Sequence, residues 1–379
     1  KYGMPEGGRE KSLVLGSFNI RKLSSNRGRK KEIDFMARFC AACDLVAIQE
    51  VQDNLDGLFH LQERMNSRIA EEGGFGLVVS DITGQVPGEK GMAERLAFLY
   101  RRSRIRRLAM ASDLTVDLTS VLENVFGHQE ELLASRKEFE AKMARFHAGK
   151  RKTKPTYVPP AFVTFVRTPF VAAFEAPAAN DKAPLRFSAV NAHLVYGTPR
   201  QREDEFEALV RWLTARLLAD ERLLTPSFIL LGDLNLDVDL PDKDRKRISG
   251  KIRKYNAEFF DNPADNRVYF PFIDKHPITK KIIRTNARQN QTFDQIAFFR
   301  DPKEAGLPDH SWRAAMSGTN PDGYQFNVFN FTDLFAQALR RKPYDDLTTA
   351  QKKALGKKFE HSVSDHMPIW VRIPRPGFV

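Results

Sequence analysis

Four short stretches constrain the fold more than anything else in the chain: residues 16–20 (GSFNI), 46–51 (VAIQEV), 227–237 (SFILLGDLNLD) and 363–371 (VSDHMPIWV). Each joins a strand-sized apolar run to carboxylates, amides or a histidine. Packing alone does not call for polar groups at the end of a buried strand. A sheet delivers its strand ends to one rim, where connecting segments carry function.

Between these runs lie segments of helical periodicity. The segment KKEIDFMARFCAAC (30–43) spaces Ile33, Met36, Cys40 and Cys43 along one face, and residues 54–73 place Leu55, Leu58, Phe59, Met65 and Ile69 on another, with Gly73 as the stop. Thr198 followed by Pro199 opens a helix with Phe206, Leu209, Val210, Leu213 and Leu217 inward. FGLVVSDI with RLAFLYR, and FVTFVRTPFVAAFEA with LRFSAVNAHLV, read as neighbouring strand pairs; QTFDQIAFF and MPIWVRI complete the strands. Strands alternating with helices predict an α/β protein, sheets covered by helices. Residues 112–160 interrupt the rhythm with a helical stretch (Leu118, Val121, Leu122, Val125, Phe126) closing on a basic, proline-bearing linker, and residues 301–360 read as loop-rich with one short helix at FTDLFAQALRRK.

The longest apolar runs fall far short of the ~20 residues of a membrane span. Lys and Arg number 60 against 48 Asp and Glu, a formal charge of +12. That surplus suits a polyanionic partner, whether nucleic acid, anionic lipid or a phosphorylated substrate. Cys40 and Cys43 have redox-like CxxC spacing but no second ligand pair, and their helical register reads as packing. The lack of a disulfide framework fits a reducing cytoplasm; a mature secreted form starting at Lys1 stays open.

Asn19, Glu50, Asp233, Asn235, Asp294, Asp365 and His366 all fall at strand ends. Hard oxygen donors gathered there suit a divalent cation such as Mg²⁺. With His193 and His366 added, the set has the parts of a phosphodiester-cleaving site: a cation for the phosphate, an acid–base group, and an Asp or Asn to orient water.

The ordered segments GSFNIR, LVAIQEV, AERLAFLYR, VNAHL, LLGDLNLD, TFDQIAF and SDHMPI resemble the motifs of the endonuclease/exonuclease/phosphatase superfamily, most closely its deoxyribonuclease I branch. They span residues 13–373. The resemblance implies one domain over residues 1–379, an α/β/β/α sandwich of two mixed sheets flanked by helices, with residues 112–160 as a helical insertion. It implies Glu50 as the main Mg²⁺ ligand, with Asn19 and Asp365 beside it and Mn²⁺ able to substitute. Asp233 and Asn235 would orient the nucleophile. His193 and His366 would be the acid–base pair, supported by Glu94 and Asp294, and Arg167 would bind the substrate phosphate. AP endonucleases usually carry a tyrosine at the position of His193, and inositol polyphosphate phosphatases carry longer, tryptophan-bearing motifs absent here. Neutral sphingomyelinases share the histidine pair. Gln52 stands where the deoxyribonuclease I pattern has a groove-reading arginine, and that enzyme's calcium- and disulfide-stabilised loops have no counterpart.

Three basic runs complete the reading: residues 101–107 (RRSRIRR), 150–154 (KRKTK) and 243–254 (KDRKRISGKIRK). The third follows the GDLNLD loop closely, so Lys243, Arg245, Lys246 and Arg247, with Arg21, are candidate contacts to a nucleic-acid backbone. Tyr157, Tyr255 and Phe259 border two of the runs; core packing is the favoured reading for each, with base stacking the alternative. The expected activity is Mg²⁺-dependent DNA endonuclease action of low sequence specificity. The alternative is hydrolysis of a phospholipid or other small phosphodiester, and a catalytically silent binding protein is disfavoured by the completeness of the set. No obligate protein partner is readable.

Overall fold

Side chains alternate along β8 (Phe228–Asp233), and the alternation shows how the layers stack: Ile229 and Leu231 join one core, Phe228 and Leu230 a second. In the computed structural model the chain is described over residues 2–377, except 7–9, 25–30, 85–92, 115, 117, 156, 158, 180–181, 219–224, 238–240, 260–266, 302–305 and 317–323. Among the described residues there are two six-stranded sheets. The first has the order β11 (Gln325–Val328), β12 (Ile369–Pro374), β1 (Ser12–Leu23), β2 (Leu45–Gln52), β4 (Glu94–Arg101), β3 (Phe75–Val79). The second runs β5 (Arg106–Asp113), β6 (Phe170–Ala176), β7 (Leu185–His193), β8, β10 (Asp294–Phe299), β9 (Val268–Tyr269).

The facing sheets bury Leu15, Ile48 and Phe98 against Phe174, Phe187, Leu231 and Ile296. Outside the first sheet lie α1 (Ile33–Cys40) and α2 (Asp56–Asn66); outside the second lie α5 (Pro199–Leu218) and α6 (Pro241–Phe259), whose Phe206, Leu209, Ile248 and Ile252 cover Val190 and Leu230. This is the expected four-layer α/β/β/α sandwich. At α5, Thr198 and Gln201 bond reciprocally, Thr198 Oγ1 accepting from Gln201 N and Gln201 Oε1 from Thr198 N, which satisfies two helix-start donors. Cys40 and Cys43 are free and buried, and a Cβ at Gly16 would lie 2.6 Å from Cys43 Sγ. Both cysteines are core packing residues, as the helical register predicts.

Several local expectations change. The inward face of α2 is Leu58, Leu61 and Met65, and Phe59 is 52% exposed. The helix also ends at Asn66, whose Oδ1 accepts from Phe75 N and turns the chain into β3. The run 243–254 lies within the outer-layer helix α6. Residues 106–113 form an edge strand reaching into the expected insertion. The insertion itself is α3 (Leu118–Gly127) and α4 (Gln129–His147), neither with a buried residue. Residues 301–360 hold α7 (His310–Ala315), α8 (Phe331–Arg340) and α9 (Thr349–Phe359). The signal for α9 was a capping box, Thr348 with Gln351.

Candidate active site

Strand direction brings the site together. β1 and β2 are parallel, as are β7 and β8, so their C-terminal ends carry Asn19, Glu50, His193 and Asp233 to one rim. β4, β10 and β12 run antiparallel to these neighbours, so their N-terminal ends reach the same rim. Glu94 therefore opens β4, Asp294 opens β10 directly opposite Asp233, and Asp365 and His366 precede β12.

The backbone at the rim is unusual. Lys22 (φ 53°), Glu50 (56°), Asn235 (48°) and Asp237 (64°) all take left-handed conformations, each costing about 1–3 kcal/mol and typical of functional sites. At Gly232, φ is 152° and a Cβ would lie 1.9 Å from the Ala192 carbonyl oxygen. Only glycine allows β8 to approach β7 so closely just before Asp233.

Asp233 is the centre. Its Oδ2 accepts from Asn19 Nδ2 at 3.0 Å and lies 3.5 Å from Nε2 of both His193 and His366. Its Oδ1 accepts from Asn235 N at 3.0 Å, while Asn235 Nδ2 donates to the Leu194 carbonyl. Each imidazole is fixed on its other nitrogen: His193 Nδ1 by Glu94 at 2.8 Å, His366 Nδ1 by Asp294 at 3.0 Å. A carboxylate at Nδ1 selects the tautomer and aims Nε2 at the centre. Burial and Arg167 push the His193 pKa down, but Glu94 and Asp233 outweigh them and it rises. For His366 burial is again opposed, here by Asp294, Asp233 and Asp365, and the pKa rises well above the ordinary value. Burial acts against ionised Asp233, yet the two imidazoles hold its pKa low. Asp294 is pushed up, chiefly by burial. The folded arrangement thus shifts Asp233 toward its ionised form and both imidazoles toward their protonated forms.

On one side lie the candidate cation ligands. Asn19 Nδ2 donates to Glu50 Oε1 at 3.2 Å, and Lys22 N to Glu50 Oε2. Asn19 Oδ1 and Asp365 Oδ1 are buried without a hydrogen-bond partner. Leaving such oxygens unpaired is costly, and hard oxygens with open valence suit a divalent cation. Asp233, Asp294 and His366 also offer ligand atoms within 4.8 Å of one another. His366 spends Nδ1 on Asp294, so the oxygen set around Glu50 fits the cation better.

Other residues land differently. Arg21 bonds Asp365 at 3.0 Å and Glu360. Arg167, assigned by resemblance to the substrate phosphate, is buried, with its guanidinium on Glu94 and the Leu194 carbonyl. It therefore acts on the partner of His193. Lys243 and Lys246 are exposed on α6, but Arg247 pairs with Glu203 and Asp244, and Arg245 donates to the Ile273 carbonyl. Tyr255 is buried and Phe259 packs in the same core, with the Arg211 guanidinium over both rings; Tyr157 lies against Phe139. In the run 101–107, Arg101 and Arg104 pair with Asp44 and Arg106 with Glu175, at the β4 end away from Glu94.

Positioning residues beneath the site carry no motif signal of their own. Gln49 Nε2 donates to Asn191 Oδ1 at 2.7 Å, and Asn191 Nδ2 to the carbonyls of Ile48 and Ala97, bonding the two sheets together. Thr285 Oγ1 accepts from Phe293 N and Asp294 N, and Ser364 Oγ receives His366 N. Gln49 and Asn191 fall inside LVAIQEV and VNAHL, where a polar residue at an inward strand position is the one hint of their role.

The sequence profile of the endonuclease/exonuclease/phosphatase family matches residues 16–366. The chain belongs to this family. Its members are phosphoester hydrolases. Similar solved structures include the human nocturnin catalytic domain with bound sulfate (11% identity, 96% of this chain and 94% of that one, TM-score 0.45). Others are a humanised D. rerio TDP2 (14%, 96% and 98%, 0.43) and a mannosyl-6-phosphatase of Bacteroides thetaiotaomicron (13%, 96% and 99%, 0.43). Among curated proteins none matches the chain. No helix among the described residues is long and apolar enough to cross a membrane.

Proposed function

We propose that this family member is a Mg²⁺-dependent endonuclease of the deoxyribonuclease I type, hydrolysing DNA phosphodiester bonds with little sequence preference. The observation that carries the reading is the convergence of two carboxylate-backed histidines on Asp233. Asp233 and Asn235 orient a water in line with the phosphorus and Asp233 takes its proton; the phosphorus–oxygen bond to the leaving 3′-oxygen breaks. His366, held as an imidazolium, stands on the phosphate to stabilise its growing charge and supply the leaving oxygen's proton. His193, fixed by Glu94, hydrogen-bonds a second phosphate oxygen. Glu50, Asn19 and Asp365 would hold the cation, which supplies positive charge to the phosphate. The +12 charge supports a polyanionic substrate.

Nicking of supercoiled plasmid tests the reading. It is expected with Mg²⁺ or Mn²⁺, and lost in EDTA and in His193→Ala. A folded, metal-supplied protein that leaves plasmid intact would refute it. One observation favours the alternative of a lipid phosphodiester: Leu118, Phe126 and Leu133 on α3 and α4 are more than half exposed, an apolar surface suited to a membrane. Release of a phosphorylated headgroup from vesicles, without nicking, would establish that reading.

A further inference from the structure

α9 carries two lysine pairs outside every catalytic motif, at 352–353 and 357–358. The helix forms one wall of a cavity of about 430 Å³. Arg288, Lys352, Lys353 and Lys357 line it together with Tyr344 and Gly356, as do Glu360 and Asp365. Asp365 also belongs to the candidate cation set, so the cavity is continuous with the catalytic rim.

The charges here are free in a way those of the other basic runs are not. Among the described residues no carboxylate pairs with Arg288, Lys353 or Lys357. Lys352 donates to the Asp345 carbonyl and lies over the Tyr344 ring at 5.1 Å. Glu360 and Asp365 are both bonded by Arg21. The cavity therefore runs from an acidic end, where Arg21 offsets part of the charge of Glu360 and Asp365, to an uncompensated cationic end. Gly356 leaves room between the lysine pairs, since a Cβ there would meet nothing within 4 Å. A glycine inside a helix costs up to about 1 kcal/mol relative to alanine, and here it keeps the wall open. The volume lies in the range of ~300–1,000 Å³ usual for small-ligand sites, enough for a nucleotide unit.

We propose that this cavity is a subsite for a backbone phosphate flanking the scissile one, held by Arg288, Lys353 and Lys357 while the scissile phosphate lies at Asp233. The subsite rests on the nuclease reading. It makes α9 the positioning element that sets the strand's register on the rim.

The test is fluorescence anisotropy of a short labelled DNA duplex in EDTA, over a series of salt concentrations. Wild type is compared with Lys353→Gln/Lys357→Gln and with Gly356→Leu, which adds a side chain to the cavity wall at a position where a Cβ would meet nothing within 4 Å. Both variants are expected to bind about tenfold more weakly, with thermal midpoints no lower than that of wild type. The double-lysine variant is also expected to lower the slope of log K against log salt by roughly 0.9 for each phosphate it no longer neutralises. Binding and slope equal to wild type in both variants would overturn the subsite. A wild type that binds no DNA would overturn the nuclease reading and the subsite with it, and is told apart by needing no variant.

Discussion

His193 and His366 present Nε2 to the same Asp233 oxygen at the same 3.5 Å, and each is fixed at Nδ1 by a buried carboxylate from the facing sheet. Their partners differ in what else they hold. Glu94 is shared with Arg167, a buried cation that works against charge on His193. Asp294 has Thr285 behind it and, among the described residues, no ion pair with an Arg or Lys, and His366 also feels Asp365. One geometry is thus tuned to two proton affinities. His366 is the group kept charged, and His193 the one nearer its ordinary value.

The sharpest way to break the comparison is to remove each ring. His366→Ala and His193→Ala are each expected to cut the nicking rate by about 10²–10⁴-fold with the fold intact. Near wild-type nicking by either variant would end the paired assignment. Glu50→Gln acts outside the pair. It is expected to raise the Mg²⁺ concentration needed for half-maximal rate by about tenfold or more, and an unchanged metal titration would remove Glu50 from the cation set.

Arg167→Met sharpens the contrast. Without the competing cation, the His193 pKa is expected to rise further, as followed by imidazole NMR. No movement would mean that Arg167 does not tune His193.

The smallest effect is on stability against pH. A histidine whose folded pKa is raised contributes stability fully below its unfolded value of about 6.5, and loses it as pH rises through the folded value. Wild type should therefore lose thermal midpoint on the alkaline side, by a few degrees, and His366→Asn should lose less. On the acid side Glu94 and Asp233, both held low, contribute above their unfolded values near 4 and lose it as pH falls through the folded ones. Parallel alkaline curves for the two proteins would argue against a charged His366.

Much of this was legible in the chain. Strand alternation and the polar strand ends specify the layers and the catalytic set, because a period of two buries one face and a rim collects the ends. The exposure of Phe59 was not, because burial of a face depends on what packs against it, and α9 left only its capping box at Thr348 and Gln351 as a signal. By itself the sequence determined which side chains meet: Asn19, Glu50, Glu94, His193, Asp233, Asp294 and His366 sit at fixed positions on strands whose directions leave them one shared edge. The tertiary structure alone decided where the charge goes. Arg167 is spent on Glu94, Arg101 and Arg104 on Asp44, and Arg247 on Glu203, while the lysines of α9 keep theirs beside the rim. The physical reason is that a cation's availability depends on the carboxylate folded against it, often from a distant part of the chain, and composition records only that both exist.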